Sequence, residues 1–492
     1  MKRKKMTRRE FIALTALGMT GTYVGLHTGL ARAMMGSGGM GGGGGGMGGG
    51  TTIIDPPPGA AFYDTLPAVK EGGVYKITAG ETRMRLNGTR VTLLTYNGTY
   101  PGPVIRAARG ETLKVQLVNN LPKTTATNIL GHTRNITNLH THGLHVSPST
   151  INGINGDNMM ITAPPGGTID YEYNLVFEKP GHLNFYHPHV HGTVAEQYWG
   201  GLAGPLVIED EAGCVLSGYE THIMVIKDIT IANGLPDPYT SISQFMRGKE
   251  GNLVTVNGRV NPILSIQPGQ VQRWQIVNAC NARFLKLSLD KHFLYLVGTD
   301  GGLLDKPYRL SSILLSPGER IDVLVKADQG GGEFKFLSLP YDRGMSSLQQ
   351  VTLLTLAYGG ASTSDPLPTA INPAELLDMD LSMLPHRQMT LSMMMGRGYI
   401  NGISFTDMDH SYKIESHLGM YEVWEIFNQS GMDHPFHQHV NSCRVLSISG
   451  GDSAYASLYT TIPAWKDVVI IPKMGSATLL VPVMDWDGMT MF

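Results

Sequence analysis

Three segments of this 492-residue chain repeat one another without gaps, and no other feature constrains the fold as strongly. Each begins with Gly and ends with Asn: GETLKVQLVN (110–119), GQVQRWQIVN (269–278) and GMYEVWEIFN (419–428). Two apolar positions recur, the first held by Val115, Trp274 and Trp424 and the second by Leu117, Ile276 and Ile426. The two positions lie two residues apart, which places them on one face of a β-strand. The repeat therefore predicts three related β domains.

Turn signals accompany each repeat. An Asn-Gly pair, the pair that tight turns favour, precedes every segment, at 97–98, 257–258 and 401–402. PGGTID (165–170) resembles PGERID (317–322), and PKMGSATL (472–479) holds a similar place in the third unit. With 61 Gly, 28 Pro and no helical periodicity, the sequence predicts an all-β protein made of β-sandwiches. Residues 359–375 have the composition of a linker between the second and third units.

The first 33 residues have the pattern of an export signal. A basic start precedes TRREFI (7–12), which matches the twin-arginine motif, and a mildly apolar stretch then leads to an Ala31-Arg32-Ala33 cleavage pattern. This predicts export by the twin-arginine machinery to the periplasm or another extracytoplasmic location. An uncleaved membrane anchor is the alternative, which the Thr, Gly and His residues in the apolar stretch disfavour. Residues 34–59, rich in Gly and Met, are assigned to a linker whose methionines either bind soft metal ions or merely space the domains.

Charge and cysteine content exclude some classes of function. The net charge is −2 and no basic surface is evident, so nucleic acid is not an expected partner, and no segment after the signal is apolar enough for stable membrane insertion. Cys214, Cys280 and Cys443 are too few and too scattered for a disulfide framework. One disulfide among them remains an open alternative.

Histidines are concentrated in three motifs, NLHTHGLH, FYHPHVHG and MDHPFHQH. Each contains an H-x-H pair: His140 and His142, His187 and His189, His437 and His439. Residues two apart on a strand point the same way, so each pair aims two imidazoles at one side. A single such pair is more often chance, but two pairs in the first unit and one in the third predict a metal site shared by those units. Neutral imidazole suits Cu, Zn, Fe or Ni.

Together with GLAGPLVIED (201–210), these motifs resemble those of bacterial, laccase-like, three-domain multicopper oxidases, and the resemblance extends from about residue 60 to the end. It implies three cupredoxin-like Greek-key β-sandwich domains, at 60–212, 213–365 and 370–492. It also implies a copper-dependent oxidoreductase that uses O2 and a small reducing substrate or metal ion. In this family a type 1 copper takes single electrons from the reductant. A trinuclear cluster, made of a type 2 copper and a binuclear type 3 pair, reduces O2 to water.

The same resemblance assigns seven histidines to copper. His140 and His437 match type 2 ligands, and His434 matches a type 1 ligand. Four more match the type 3 pair: His142, His187, His189 and His439. The remaining histidines of these motifs, His145 and His191, fall outside the ligand pattern.

A fourth family motif, H-C-H followed by a spaced His and usually Met, does not occur in the sequence. By the resemblance it supplies the type 1 thiolate and two type 3 histidines. GHLNFY (181–186) leads into His187, and DGMTMF (487–492) is the matching segment of the third unit, so the third domain is expected to lack its C-terminal end. A truncated oxidase is favoured because the reachable ligands are intact. A copper-deficient relative with a structural or assembly role is the alternative. Cys443 is interpreted as a core residue and not as a replacement ligand.

The reductant is left open between small phenols and metal ions such as Cu(I). The third unit is rich in Met, whose thioether suits Cu(I) but also fills irregular cores. Asp157, shortly after the first H-x-H pair, matches acids that relay protons to the cluster in relatives and is the predicted catalytic acid. The simpler interpretation is an Asp that caps the turn beside Gly156.

The absent motif generates a prediction about colour. Blue absorption comes from a Cys thiolate bound to Cu(II), so the copper-loaded chain of residues 1–492 is expected to lack this band and not to couple reductant oxidation to O2 reduction. A tail of the form H-C-H-x3-H-x4-M after Phe492 should restore both, as absorption spectra and oxygen uptake would show. Strong blue absorption without the tail would mean that the type 1 ligands are misassigned.

Overall fold

The computed structural model describes residues 52–344, 349–375, 377–394, 396–407 and 409–492. The export signal and the Gly-rich stretch lie outside these ranges. Strands dominate the described part, which also contains helices that the sequence analysis did not predict. The α-helices are Val194–Gly200, Ile242–Arg247 and Ser453–Thr461, and the 3-10 helices are Val215–Gly218 and Leu381–Met383. Within the described ranges, none of these helices is long and apolar enough to cross a membrane.

Domain one contains two sheets that enclose a common core. The larger sheet has, in spatial order, Lys70–Glu71, Val74–Leu86, Thr112–Asn120, Thr168–Asn174, Ile154–Asn155 and Thr150–Ile151. Strand Thr89–Tyr96 also pairs with Val74–Leu86. The smaller sheet has Ile105–Ala107, Gly204–Ile208, His182–His187 and His140–His142. The first two histidine motifs therefore begin on neighbouring strands of the smaller sheet.

Domain two also has two main sheets. One has, in order, Leu253–Val256, Glu220–Ile229, Val271–Asn278, Arg320–Lys326, Leu294–Thr299 and Gly302–Leu310. The other has, in order, Thr52–Ile54, Gln349–Tyr358, Glu333–Leu339, Leu285–Leu289 and Ile313–Leu315. Strand Ile263–Ile266 also pairs with Gln349–Tyr358. A small ribbon joins Ile231–Ala232 and Leu235–Pro236.

Domain three has one six-stranded sheet and a two-stranded one. The larger sheet has, in order, Arg397–Ile400, His386–Met394, Met420–Asn428, Ser476–Val483, Cys443–Ser449 and Trp465–Lys466. The smaller pairs His434–His437 with Val468–Ile471. Residues 487–492 have no regular secondary structure, whereas their counterparts 181–186 lie largely on a strand. Phe492 packs its ring against Trp424 and Phe436.

The repeat predicted from the sequence is confirmed strand by strand. Each repeated segment forms an inner strand. It runs parallel to the first long strand of its domain and antiparallel to the strand that begins within the second repeat motif. The shared apolar positions are buried in all three domains: Val115, Leu117, Trp274, Ile276, Trp424 and Ile426. The all-β, three-domain prediction is therefore confirmed.

The Asn-Gly turns explain why the repeat keeps Asn at this place. Asn97, Asn257 and Asn401 have φ values of 52°, 50° and 50°, a left-handed conformation that Asn tolerates better than most residues. Each side chain also bonds a neighbouring strand: the amide oxygen of Asn257 accepts from the Val225 N–H at 2.8 Å, and its amide nitrogen donates to the Ile223 carbonyl at 2.7 Å. The other two Asn residues make the same pair of bonds.

The last residues of the stretch that the sequence assigns to a linker lie along domain two. Strand Thr52–Ile54 runs parallel to Gln349–Val351. Asp55 forms an ion pair with Lys335 and accepts a hydrogen bond from Thr352. Residues 52–63 thus attach to domain two before the chain enters domain one.

The turn geometry predicts that replacing Asn by Ala will destabilise the protein to different extents at two of the turns. Asn257→Ala removes three side-chain hydrogen bonds, two of them fully buried, at a positive φ and should lower the free energy of unfolding by about 2–4 kcal/mol. Asn401→Ala makes the same substitution at an exposed turn, where two bonds are lost and water replaces them, and should cost clearly less. Denaturant unfolding of both variants measures the difference, and equal losses would contradict the account.

Candidate metal centre

Strand pairing positions the histidines of domain one. His140–His142 runs antiparallel to His182–His187, with His187 opposite His140 and Phe185 opposite His142. The second motif leaves its strand at His187, and the His189 N–H donates to Oδ1 of Asn138 at 2.7 Å. This bond fixes His189 beside the first motif although it is no longer on a strand.

The third motif approaches from domain three. His437 ends the strand His434–His437 and faces Val468. His439 lies just beyond it, and its N–H donates to the Met491 carbonyl at 3.1 Å. Val440, next in the chain, has a φ of 69°, which is unusual for a β-branched residue and turns the chain sharply after His439.

Six of the seven predicted ligands converge between domains one and three. The imidazole of His140 stacks on that of His439 with ring centroids 4.2 Å apart, and His142 stacks on His437 at 3.7 Å. His189 lies 4.9 Å from His439, and His187 lies 5.1 Å from His140. Each of the two rings from domain three therefore stacks on a ring from domain one, and all six form one cluster. Three groups of possible ligand atoms within 4.8 Å of one another occur here.

Hydrogen bonds fix which nitrogens of His140 and His437 carry protons. Nδ1 of His140 lies 2.7 Å from Oδ2 of Asp157, and Nδ1 of His437 lies 3.0 Å from the Asp467 carbonyl, so both Nδ1 atoms donate. The Nε2 atoms are then unprotonated, and they face each other at 3.4 Å. Two lone pairs with no proton between them repel, and a bound cation would remove the repulsion.

His142 and His187 also have a nitrogen lone pair without a hydrogen-bond donor. Nδ1 of His187 donates to the Pro188 carbonyl at 2.8 Å, so its Nε2 can only accept. That atom lies 3.3 Å from Nδ1 of His142, whose own Nε2 is buried without a hydrogen bond, 3.7 Å from Oδ1 of Asp467. Either tautomer of His142 leaves one lone pair unmatched, facing a carboxylate or another bare nitrogen. A metal ion bound to these nitrogens would satisfy them.

Burial keeps the cluster in the form that binds metal. Desolvation lowers the pKa of all six imidazoles, with values of about 3 for His187 and about 4 for His189. The rings are therefore neutral at pH 7, and no proton has to leave before a metal binds. Neutral nitrogen donors of this kind fit copper, among other divalent and monovalent transition metals.

Asp157 is buried and tied to the first motif. Besides His140, its carboxylate accepts from the Thr141 N–H at 2.9 Å and from the Thr141 hydroxyl at 3.1 Å. Burial raises the pKa of Asp157 to about 6, although the Thr141 bonds act in the opposite direction. Asp157 thus orients the His140 ring, and its own position next to the cluster differs from that of an exposed turn cap.

A carboxylate that the sequence analysis missed, Asp467, contacts the cluster from domain three. It is held by Arg320 of domain two through two bonds of 2.6 Å, and its carbonyl accepts from His437. Burial alone would raise the pKa of Asp467, but the charge and hydrogen bonds of Arg320 hold it well below its usual range. The domain without an H-x-H pair thereby positions two ligands supplied by the other domains.

Arg320 also explains the glycine of the HTHG motif. Gly143 has a φ of 104°, and a Cβ added there would overlap Nη2 of Arg320 and Oδ1 of Asn184. Only Gly leaves room for the guanidinium at this point. The glycine is therefore needed for the contact between domains and not for the histidines themselves.

His434 lies apart from the six, and no contact in the described residues joins it to them. Its Nε2 lies 2.7 Å from the Ser430 hydroxyl, which is also 3.1 Å from the Met432 carbonyl. Because that carbonyl can only accept, the hydroxyl donates to it and Nε2 of His434 donates to the hydroxyl. This leaves Nδ1 free to bind a metal. Burial and, less strongly, Arg343 lower the pKa of His434 to about 4.

The histidines outside the ligand pattern have other contacts. Nδ1 of His145 is 2.7 Å from the Val440 carbonyl and its Nε2 is 2.9 Å from Oδ2 of Asp485, so His145 joins domain one to domain three. The ring of His191 packs edge-on against His132 and Phe405. Neither belongs to the cluster of six.

The cysteines are all free, so no pair forms. Cys443 is buried and its thiol donates to the Lys466 carbonyl, as expected of a core residue. Burial raises the pKa of Cys443 to about 12, far from the thiolate form that binds copper. Within the described residues, no cysteine shares a contact with His434.

Three family models described as "Multicopper oxidase" match this chain, at residues 78–213, 218–361 and 369–492. "Multicopper oxidase mco" of Staphylococcus haemolyticus is 29% identical over 386 residues, 76% of this chain and 75% of that protein. "Cell division protein FtsP" of Xenorhabdus nematophila is 28% identical over 426 residues, 82% and 81% of the two chains. The solved McoA multicopper oxidase of Aquifex aeolicus has a TM-score of 0.74 at 25% identity, covering 87% of this chain and 93% of that one.

The Asp467 contacts predict a selective loss of copper affinity. Asp467→Asn breaks the ion pair with Arg320 and the contact with His142, and copper affinity measured by chelator competition should fall at least about tenfold. Asp322 is the matched control, since it is buried and paired with Arg273 without touching a histidine. Asp322→Asn should leave copper affinity unchanged. Equal affinity in the two variants would show that Asp467 does not position the ligands.

Proposed function

The chain belongs to the multicopper oxidase family, and from that premise we propose that its six-histidine cluster would hold the copper ions at which O2 is reduced, while His434 belongs to a separate site that receives electrons. Members of this family are copper-dependent oxidoreductases that couple oxidation of a reducing substrate to reduction of O2. Copper is accordingly the cofactor, and O2 and a reductant are the substrates. Each O2 takes up four electrons and four protons to give two molecules of water.

The observation that carries this assignment is the pair of unprotonated Nε2 atoms of His140 and His437 facing each other at 3.4 Å. They come from domains one and three, and each is fixed by a bond from its Nδ1. We assign this pair to the type 2 copper and the other four rings to the type 3 pair. When bound, copper would supply the one-electron redox chemistry. The chain itself orients the rings, keeps them neutral and excludes bulk water.

Asp157 is proposed to handle protons at this site. It contacts His140 and also lines a narrow cleft that ends at His439, so it links the cluster with the outside. Burial brings its pKa to about 6, in the range in which a carboxyl group can both accept and release a proton near neutral pH. Thr141 holds the carboxylate in one orientation toward His140.

The reductant is proposed to be a soft metal ion, Cu(I) in particular. Met432 and Asp433, which precede His434, are buried and cannot meet a substrate. Met474, by contrast, is 75% exposed, and its N–H donates to the carbonyl of Ser430, the residue that bonds His434. An exposed thioether beside the electron-entry histidine suits Cu(I). Small phenols, which would use the groove lined by Phe427 and Met474, are the alternative.

Export through the twin-arginine pathway is proposed for the site of action. It is supported by the TRREFI motif and the Ala31-Arg32-Ala33 pattern. That pathway carries folded proteins, so a multidomain metal site would be complete before export.

A structural role is the second candidate function, because one relative is named a cell division protein. Six buried imidazoles with mutually facing lone pairs disfavour it. They destabilise the metal-free fold and would serve no purpose in a protein that never binds metal.

Two tests address these proposals, both in the chain extended by the H-C-H tail. In the first, Asp157→Asn keeps an acceptor for His140 but cannot exchange a proton. Oxygen uptake should fall about a hundredfold, and its decline as the pH rises through about 6 should disappear, while bound copper stays constant. Unchanged oxygen uptake across this pH range would exclude Asp157 as a proton relay.

In the second, Met474→Leu should raise the KM for Cu(I) severalfold but change turnover of a small phenol far less, because leucine keeps the apolar surface that Met474 gives the groove. Met383→Leu is the control, because Met383 is 80% exposed and, within the described part of the chain, does not bond Ser430. Wild-type turnover of phenol but not of Cu(I) would contradict the metal-ion assignment. Absence of oxygen uptake with either reductant would contradict the oxidase function.

A further inference from the structure

Four methionines surround a narrow cleft that ends at the histidine cluster. Its lining is Pro148, Asp157, Met159, Met160, His439, Met489, Thr490 and Met491. Met160 and Met489 are 50% and 58% exposed, whereas His439 at the inner end is buried. The lining therefore passes from thioethers in solvent to an imidazole of the cluster.

The inner methionines are tied to the backbone of the cluster. The amide of Asn138 donates to the Met159 carbonyl at 3.1 Å, and the same side chain accepts from the His189 N–H. The Met491 carbonyl accepts from the His439 N–H. Each wall of the cleft is thus tied through its backbone to one histidine motif, which keeps the cleft beside the cluster.

Methionine in this position is not explained by packing alone. Met159 is buried and can fill a gap, but Met160 and Met489 are half exposed and contribute little to the core. No Lys or Arg lines the cleft, and Asp157 is its single acidic residue. Uncharged thioethers at the mouth and a carboxyl further in favour a soft cation over an anion.

We propose that this methionine cleft binds Cu(I) transiently and delivers it to the histidine cluster while the metal sites are being filled. The proposal rests on the proposed function, since it assumes that the cluster holds copper. Thioether bonds to the ion are exchanged for imidazole bonds, copper stays in the same oxidation state, and no proton leaves because the rings are neutral. The cleft is distinct from the exposed Met474 near His434, which is assigned to the substrate.

The test follows metal uptake and does not depend on turnover. The metal-free chain, extended by the H-C-H tail as in the tests above, is mixed with Cu(I) without oxygen, in the presence of a competing chelator, and protein-bound copper is measured over time. Met160→Leu with Met489→Leu keeps apolar bulk but removes the outer thioethers. The matched control is Met383→Leu with Met394→Leu, two exposed methionines that do not line the cleft.

The cleft variant should take up Cu(I) about tenfold more slowly than wild type, while the control keeps the wild-type rate. Final copper content and the rate with Cu(II), a poorer partner for thioethers, should be the same in all three proteins. Equal Cu(I) rates in the cleft variant and wild type would overturn the proposal. An equal slowing for Cu(II) would overturn it too, since the effect would then be steric. If the extended chain without these substitutions reaches no stable copper content, the proposed function would be overturned instead.

Discussion

One buried guanidinium, that of Arg320, joins all three domains. All five of its N–H donors have acceptors, and these come from every domain: Leu183 and Asn184 of domain one, Asp300 and Gly318 of domain two, and Asp467 of domain three. A buried guanidinium is tolerated only when it is paired and fully hydrogen-bonded. The domains must therefore meet in one arrangement, and in that arrangement Asp467 faces His142 and His437.

The histidine cluster is the chemical consequence of this arrangement. His140 of domain one and His437 of domain three have outer nitrogens that are already bonded, so their inner Nε2 atoms carry no protons and face each other. Such a site is unfavourable when empty, because buried lone pairs lose their hydration without a replacement. The binding of copper relieves this cost, which links the stability of the domain interface to the cofactor.

The sequence was sufficient for those parts that rest on local pattern. The repeat predicted three β domains because strand periodicity and Asn-Gly turns are written in neighbouring residues, and the H-x-H pairs identified the rings that meet. Asp467 and Arg320 carried no such signal, since a lone Asp or Arg acquires a role only when distant strands bring it to an interface. The helix Ser453–Thr461 was missed because its N-terminal cap, Asp452, precedes a stretch without a clear apolar face. Residues 52–63 were assigned in part to a linker because parallel pairing with a strand 300 residues away leaves no local pattern.

The central claim is that histidines of domain one and domain three together form one metal site. Crystals of the copper-loaded protein, measured on either side of the copper absorption edge, would locate the ions directly by anomalous scattering. The account predicts an anomalous peak between Nε2 of His140 and Nε2 of His437, bonded to both. Copper found only at His434 or at surface methionines, with the two Nε2 atoms left facing each other, would contradict it.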